Sequence, residues 1–598
     1  MCGIAGFYSA SGGGLPVVEV QQTVLDSLQS RGPDGFGIWK QPANRAVLMH
    51  RRLSIQDLSE TGAQPMHSDD GNLVITFNGE IYNAPELRSW LPNYPFKGTS
   101  DTEVILALYQ RFGEQALEFL RGMFAFAIWD ERNQGLFLAR DPYGIKPLYL
   151  GETPDGVWFS SQVKSLLKVP GIDLSTEPAG HAGFFLWGSV PEPHTLYRGI
   201  RSLRSGHSLW LQRGKEPKYR QFCSIAETLA GGSILATDGG NRTQLQSALS
   251  DSVKAHFISD VPVGVFLSAG LDSSTILGLA SKSFNPQELR ALTLGFDAYK
   301  DTSSDETAEA TQIAEHYGVW QQVKMVGRAD FEAESTRFLH AMDQPTIDGV
   351  NTYFIAKMAK ECGFKVALSG IGGDELFGGY GSFRQIPKMM HIASALGVAR
   401  GFGGAIRKFS EQFLKRITSP KYAGILEYGG TLEGAYLLRR SLFMPWELPG
   451  VLGADLAEAG LRDLEQSDFE RKELERLKEF PLHLQICFLE STRYMRNQLL
   501  RDADWAGMAH SVEIRTPFVD QFLLRQIAPL IRSRRPPTKL EMASTPSKEL
   551  PPSILNRKKT GFGVPVREWL AESLEEKPER GLRSWAKLIY REQWPPAY

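Results

Sequence analysis

The sequence predicts two unlike folding units in one chain. A β-rich unit comes first; an α/β unit with a parallel sheet follows and passes into a mainly helical C-terminal part. Three observations predict this. The chain has 598 residues, and a single hydrophobic core stops growing near ~250–300 residues. Short apolar runs punctuated by Gly, Pro, Asn and Asp fill roughly the first 210 residues. Beyond residue 240, strand patterns alternate with helical ones, the signature of a parallel sheet.

In the first unit, runs at residues 73–77, 124–129, 135–139 and 157–160 read as strands. Helical periodicity predicts helices over 18–29 and 101–112. The second opens on Thr99, Ser100 and Asp101 with Glu103 following, an N-terminal capping pattern. A Gly/Ser/Thr-rich stretch over 223–243 lacks apolar periodicity and reads as a linker. The expected units are therefore 2–215 and 240–598. In the second, a helix is predicted over 244–257, a strand over 262–267, then a turn and a helix. A strand over 291–296, a helix over 305–317 and a strand over 365–368 follow, and the pattern is mainly helical from about residue 386.

Composition narrows the function classes. Charged residues make up 22% and the formal net charge is −2, which gives no electrostatic footprint for nucleic acid or an acidic membrane. The four cysteines, Cys2, Cys223, Cys362 and Cys487, lack metal-ligand spacing. Scattered thiols point to a reducing compartment. No stretch has the basic flank and apolar run of a signal peptide or the ~20 apolar residues of a membrane span. A cytoplasmic protein is expected, with a homodimer left open.

Chemistry is concentrated in two places. The chain begins Met1-Cys2-Gly3-Ile4-Ala5-Gly6-Phe7. Removal of Met1 makes Cys2 a residue with both a thiol and an α-amine. An amine with a pKa near ~8 serves as a base near neutrality, taking the thiol proton and returning it to the leaving group. Downstream lie Arg31-Gly32-Pro33-Asp34-Gly35, His50-Arg51-Arg52-Leu53-Ser54-Ile55, Asn78-Gly79-Glu80-Ile81-Tyr82-Asn83 and Ser100-Asp101. In this order they resemble the glutaminase domain of class II, N-terminal-nucleophile amidotransferases. The resemblance implies a four-layer sandwich, two antiparallel sheets between helices. It also implies that Cys2 attacks a glutamine amide and that Asn78 and the Gly79 backbone donate to the oxyanion. Arg52 would fork onto the glutamine α-carboxylate, and Glu80 and Asp101 would hold its α-ammonium. Two further stretches, Arg121 to Ala127 and Arg140 to Leu148, read as structural.

The second place is the predicted strand that runs into Ser268-Ala269-Gly270-Leu271-Asp272-Ser273-Ser274. Strand, small-residue loop and helix in that order form an anion cradle at a helix N-terminus. The Gly-Lys-Ser/Thr ending of a Walker loop is absent. Leu294-Gly295-Phe296, Asp305-Glu306, Ser369-Gly370-Ile371-Gly372-Gly373-Asp374-Glu375, the run Ser511 to Asp520 and Lys558 to Phe562 follow. The loop resembles the pyrophosphate loop of ATP pyrophosphatases. Nearly the whole chain resembles glutamine-hydrolysing asparagine synthetases. That likeness implies ATP bound by Leu267, Ser268, Gly270, Asp272, Ser273, Leu294, Ser369, Gly370 and Lys559. It also implies Mg²⁺ held by Asp272 and Asp374, hard oxygen ligands suited to that ion, and aspartate as the carboxylate acceptor.

The chain departs from the family pattern at two acceptor-side positions and one loop position. Many members carry an acidic residue where this chain has Ile371, and some carry an arginine near the segment Asp343 to Thr352. Asp343, Asp348 and Glu375 are candidates to assist ammonia in place of the missing acid. Ala269 replaces a usual glycine, tolerable if its φ is negative. These departures leave three readings open: asparagine synthesis, amidation of another carboxylate such as a sugar acid or a biosynthetic intermediate, and a non-catalytic binding or scaffold member. A ring-closing relative is disfavoured by Cys2, which such proteins often lack. Ammonia crossing between the two sites would need a dry passage, with Met123 and nearby Phe or Leu residues as candidate walls.

Overall fold

Strand pairing in the first part follows from the run lengths. The structure, a computed structural model, describes residues 2–9, 14–231, 241–395, 407, 420–557, 563–565, 569, 579 and 581–594. Its first strands are β1 (Gly3–Ser9), β2 (Gly35–Lys40), β3 (Ala46–Arg52), β4 (Met66–His67), β5 (Leu73–Ile81) and β6 (Gly122–Asp130). Then come β7 (Gly135–Arg140), β8 (Tyr149–Thr153), β9 (Gly156–Ser160), β10 (Ile200–Ser202), β11 (His207–Gln212) and β12 (Lys218–Gln221). They make two sheets of six, in the orders β10-β8-β9-β1-β3-β2 and β12-β11-β7-β6-β5-β4. Every pairing is antiparallel.

The sheets stack face to face. Ile4, Leu48, Val74, Trp129, Leu138 and Phe159 meet in the core between them. The outer face of the first sheet packs Phe7, Met49 and Trp158 against Val24, Leu25, Val163 and Leu166 of helices Val18–Ser27 and Val163–Leu166. The outer face of the second packs Phe77, Phe126 and Phe137 against Leu87, Ile105 and Leu108 of helices Ala84–Ser89 and Asp101–Phe112. This is the four-layer sandwich expected. It also explains why β1, β6 and β7 are apolar or small at nearly every position: with a layer on both sides, almost all of their residues are buried.

The second part holds five parallel strands: β13 (Val263–Phe266), β14 (Arg290–Phe296), β15 (Trp320–Val326), β16 (Val366–Leu368) and β17 (Glu513–Arg515). Their order is β15-β14-β13-β16-β17. Sequence periodicity missed the two edges. β15 is half-exposed and polar, so no apolar run marks it. β17 is three residues long, two of them charged, yet all buried. Helices dominate after residue 386, and none among the described residues is long and apolar enough to cross a membrane.

The stretch read as a linker is partly helical, which corrects that expectation. Helix Ile225–Ala230 starts at Ser224, whose hydroxyl accepts from the Glu227 N–H. Its Ile225, Ala226 and Leu229 are buried in the same apolar cluster as Leu523 and Ile527 of helix Gln521–Ile531. Three apolar residues at helical spacing in a Ser/Gly-rich stretch suffice because the partner surface supplies the rest of the core. Residues 232–240 lie outside the described residues.

Two buried ion pairs and a hydrogen bond tie the sandwich to the second part. The Arg31 guanidinium forks onto Asp504, at 2.7 and 2.9 Å, with no exposure of its side chain. Arg121 donates to Asp520 through Nε at 2.9 Å and Nη2 at 2.6 Å. Asp260 accepts from the Asp57 N–H at 2.8 Å.

Candidate functional site

The first cluster forms where the two stacked sheets end together. β1 pairs with β3 so that Gly3 faces Arg51, which carries Cys2 to the Arg52–Leu53 end of β3. The Cys2 thiol lies 4.0 Å from the Leu53 carbonyl oxygen, and the Cys2 N–H donates to Asn78 Oδ1 at 2.9 Å. Asn78 comes from β5 in the other sheet. Its Nδ2 is buried and has no hydrogen-bond partner among the described residues. An orphaned buried donor costs free energy unless something arrives to accept from it. Gly79 follows, and a Cβ there would meet the Met123 carbonyl oxygen at 2.1 Å. Only glycine lets the β5 backbone run this close. Burial pushes the Cys2 thiol up from its ordinary value.

Glu80 and Asp101 are both buried at this end. Asp101 begins helix Asp101–Phe112 just after the capping residue Ser100, and its Oδ2 accepts from the Ile81 N–H at 2.9 Å. Burial raises Asp101 to about 6. Glu80 accepts from Gln56 Nε2; burial, then the Glu513 carboxylate, hold it well above the usual range. Arg52 donates through Nη1 to the Ser59 carbonyl at 2.9 Å and through Nη2 to the Asp57 carbonyl. Gly62 leaves it room, since a Cβ there would meet Nη2 at 2.2 Å. All six residues expected on the glutaminase side gather at this end of the sandwich.

Sequence reasoning missed the contribution of β17. Arg515 is fully buried; its Nε donates to Glu513 at 2.6 Å and its Nη2 lies 3.4 Å from Glu80 Oε1. Nη1 donates to the carbonyls of His256 at 2.9 Å and Ile258 at 2.6 Å. The Arg515 carbonyl accepts from the Ser369 N–H at 2.8 Å. One residue thus touches the Cys2 cluster with its side chain and the second cluster with its backbone. The run Ser511 to Asp520 holds both charged residues, but nothing local says that the partner of Arg515 is Glu80.

The second cluster sits at the C-terminal ends of β13, β14 and β16, the crevice position expected in an open parallel sheet. A cavity of about 800 Å³ is lined by Leu267, Ser268, Gly270, Asp272, Ser273, Leu294, Ser369, Gly370 and Asp374. These are all the described residues that the sequence pointed to for the nucleotide; Lys559 lies outside the described residues. The loop closes on itself before helix Leu271–Ser283: the Ser268 N–H donates to Ser273 Oγ at 3.1 Å and the Gly270 N–H to Ser268 Oγ at 3.1 Å. Ala269 is absent from the positive-φ residues, so its methyl is unstrained.

Lys539 is the unforeseen member. Its ammonium pairs with Asp272 and, at 2.9 Å, with Asp374. Burial pulls against it, but the two carboxylates hold the ammonium above its ordinary value. Among the described residues no group of three or more His, Cys, Asp or Glu is placed to hold a metal. Mg²⁺ needs fewer, because it keeps waters and takes substrate phosphate oxygens beside one or two carboxylates. Two carboxylates that already converge on a cation fit that requirement. Glycines make the room: a Cβ at Gly373 would meet Asp272 Oδ1 at 2.1 Å, and one at Gly379 would meet Asp374 Oδ1 at 1.9 Å.

The three candidates to replace the missing acid separate. Ile371, Asp348 and Glu375 line the cavity. Asp343 does not; it accepts from the N–H groups of Val163 at 2.8 Å and Lys164 at 3.0 Å, at the start of helix Val163–Leu166. These bonds join it to the sandwich. Between the clusters, Met123, Tyr82, Tyr143 and Ile145 of the first part join Leu368, Phe377 and Phe518 of the second in one buried apolar cluster.

Two family models match the chain. Residues 1–222 match the family model of a glutamine amidotransferase domain, and residues 244–593 match that of asparagine synthase. The chain is 30% identical to glutamine-hydrolyzing asparagine synthetase 1 of Bacillus subtilis, over all of this chain and 91% of that one. It is 31% identical to a putative glutamine-hydrolyzing asparagine synthetase of Mycobacterium bovis, over 95% and 88% of the two chains. It is 28% identical to the amidase chry2 of Gibberella zeae, over 88% and 82%.

Proposed function

Because the chain belongs to the asparagine synthase family, with an amidotransferase domain ahead of the synthase domain, we propose that it is a glutamine-dependent ligase forming an amide from a carboxylate activated as an acyl-adenylate. Aspartate is the leading acceptor: L-aspartate, L-glutamine, ATP and water give L-asparagine, L-glutamate, AMP and diphosphate. The observation that carries the reading is the single cavity at three strand ends. It unites the Ser268–Ser273 loop with Asp272, Asp374 and Ser369, while Cys2 and Asn78 stand apart at the end of the sandwich.

In the first half-reaction the α-amine of processed Cys2 takes the thiol proton, and sulfur attacks the glutamine amide carbon. Asn78 Nδ2 and the Gly79 backbone donate to the oxyanion. Ammonia leaves with the returned proton, and water hydrolyses the thioester to glutamate. Arg52 exchanges its carbonyl partners for the substrate α-carboxylate, and Asp101 and Glu80 face the α-ammonium. That role gives a pH prediction. In the free enzyme, protonating Asp101 removes the charge the ammonium needs, so kcat/KM for glutamine falls as pH drops through about 6. A pH profile of glutamate release that stays flat through that region removes Asp101 from substrate binding.

In the second half-reaction an acceptor carboxylate oxygen attacks the ATP α-phosphorus and diphosphate leaves. Asp272 and Asp374 would hold Mg²⁺, which when bound neutralises the charge on the departing diphosphate. Lys539 and the loop N–H groups share that work. Ammonia then attacks the acyl carbon and AMP leaves. The apolar cluster around Met123 supports a dry route between the sites. Turnover is expected to release AMP and diphosphate in equal amounts; ADP and phosphate in their place reject the loop assignment.

A second reading, amidation of a different acid, is favoured by one observation. Ile371, where many relatives have an acidic residue, is apolar and packs against the core on the cavity wall.

A further inference from the structure

Charge is spread unevenly over the wall of the cavity at the strand ends. Lys539 and Arg557 are its cationic residues among the described ones. Both are paired, Lys539 with Asp272 and Asp374, and Arg557 with Glu306 at 3.2 Å and Glu309 at 3.6 Å. Three further carboxylates, Asp348, Glu375 and Asp502, line the same cavity and have no ion-pair partner among the described residues.

The fold brings two of these together. Asp348 ends the loop before helix Val350–Glu361, and Gly349 caps that helix with a φ of 88°, which favours glycine. A Cβ at Gly349 would meet Asp502 Cγ at 3.0 Å, so the loop lies against helix Arg501–Ala509. The Asp502 carboxylate accepts from Trp505 Nε1 at 2.8 Å and from Thr346 Oγ1 at 3.0 Å. Asp348 Oδ1 accepts from the Gly349 N–H at 2.9 Å, and Oδ2 has no hydrogen-bond partner among the described residues. Burial pushes Asp348 up; burial, then the Asp348 carboxylate, hold Asp502 well above the usual range. Arg501 also bears on Asp502, but its Nη1 donates to the Val190 carbonyl and it does not line the cavity. Tyr494 connects the third carboxylate: burial, then Asp348, raise its hydroxyl, and Glu375 adds to the effect. Glu375 is buried, its Oε1 accepts from the Tyr380 hydroxyl at 2.9 Å, and its Oε2 has no hydrogen-bond partner among the described residues. Buried carboxylates are costly until a cation reaches them. An ammonium group brings a positive charge and three donors.

We propose that the Asp348 side of this cavity is the acceptor subsite, and that it recognises a protonated amine on the acid, with Asp348 as its anchor. The inference rests on this cavity being the place where the acid is activated. Aspartate meets the requirement through its α-ammonium. Its α-carboxylate finds no unpaired cation among the described wall residues, so the carboxylate being activated is the only one the acid needs.

The test gives the full chain ATP, Mg²⁺ and ammonium in place of glutamine, and reads diphosphate release. β-Alanine is aspartate without its α-carboxylate, and succinate is aspartate without its amine. β-Alanine is expected to keep a kcat/KM within about tenfold of aspartate, and succinate to fall at least about tenfold below β-alanine, as loss of one charged contact dictates. Asp348→Asn, checked for an unchanged thermal transition, is expected to raise the KM for β-alanine about tenfold and to erase the lead of β-alanine over succinate. A merely structural role would lower both acids alike. Succinate matching β-alanine, aspartate exceeding β-alanine more than about tenfold, or a lead that survives Asp348→Asn overturns the inference and leaves the ligase reading standing. Should no acid release diphosphate, saturation-transfer NMR of β-alanine and succinate on the full chain with a non-hydrolysable ATP analogue decides. β-Alanine binding that Asp348→Asn removes supports the subsite and puts the failure on the adenylation reading. Binding of succinate in its place, or of neither acid, overturns the inference.

Discussion

Cys2→Ala abolishes glutamine-dependent amide formation, by about 10⁴-fold or more as expected for loss of a catalytic nucleophile, and leaves synthesis from added ammonium intact. The physical basis is separation. Cys2 contacts Leu53 and Asn78 within the sandwich, and the cavity at the ends of β13, β14 and β16 is lined by other residues altogether. Removing the sulfur deletes one half-reaction and leaves the groups of the other in place. The measurement is amide product against glutamine or ammonium, with glutamate release followed in parallel. Loss of both activities in a folded variant refutes two separable sites. An intact Met1 on the active protein, read by mass spectrometry, refutes the α-amine as base.

Arg515→Met destabilises the chain and cripples glutamine use together. The substitution keeps the length of the side chain but leaves the Glu80 and Glu513 carboxylates buried without their guanidinium. Breaking a buried pair in this way costs about 3–5 kcal/mol, enough to lower the thermal transition by several degrees. The sign with pH is fixed. Burial and the neighbouring Glu513 already hold Glu80 well above the ordinary carboxylate range, and losing the guanidinium raises it further. A carboxyl whose folded pKa exceeds its unfolded value binds its proton more tightly when folded. Stability therefore recovers as pH falls through the folded value. The deficit of Arg515→Met is accordingly largest at mildly alkaline pH and shrinks on acidification. Adding Glu80→Gln should restore part of the stability without restoring glutamine turnover. A variant as stable as wild type at alkaline pH shows that Arg515 does not hold these carboxylates.

Much of the site was legible because its chemistry is local. Ser268 to Ser274 lies on one strand–loop–helix turn, and Asn78 to Glu80 on one strand, so residue order carries their geometry. Lys539 was illegible. It stands on a five-residue helix more than two hundred and fifty residues from Asp272, and a lysine there reads as surface. β15 and β17 were missed for a related reason, since an edge strand with polar positions and a three-residue charged strand lack an apolar period. Sequence alone could not place Asp343, because motif proximity is not spatial proximity: its backbone partners belong to the sandwich.

By itself the sequence determined the fold class of the two parts and pointed to Cys2 and the Ser268–Ser274 loop as candidate site residues. Each depends on side-chain period or on contacts within a few residues, which chain order encodes directly. Tertiary structure alone decided that Arg515 joins the two sites, that Lys539 sits between the paired carboxylates, and that Asp348 lies beside Asp502 on the cavity wall. Those features come from side chains hundreds of residues apart packing into a shared low-dielectric interior, where the partner that satisfies a buried charge is chosen by the fold and not by the neighbours in sequence.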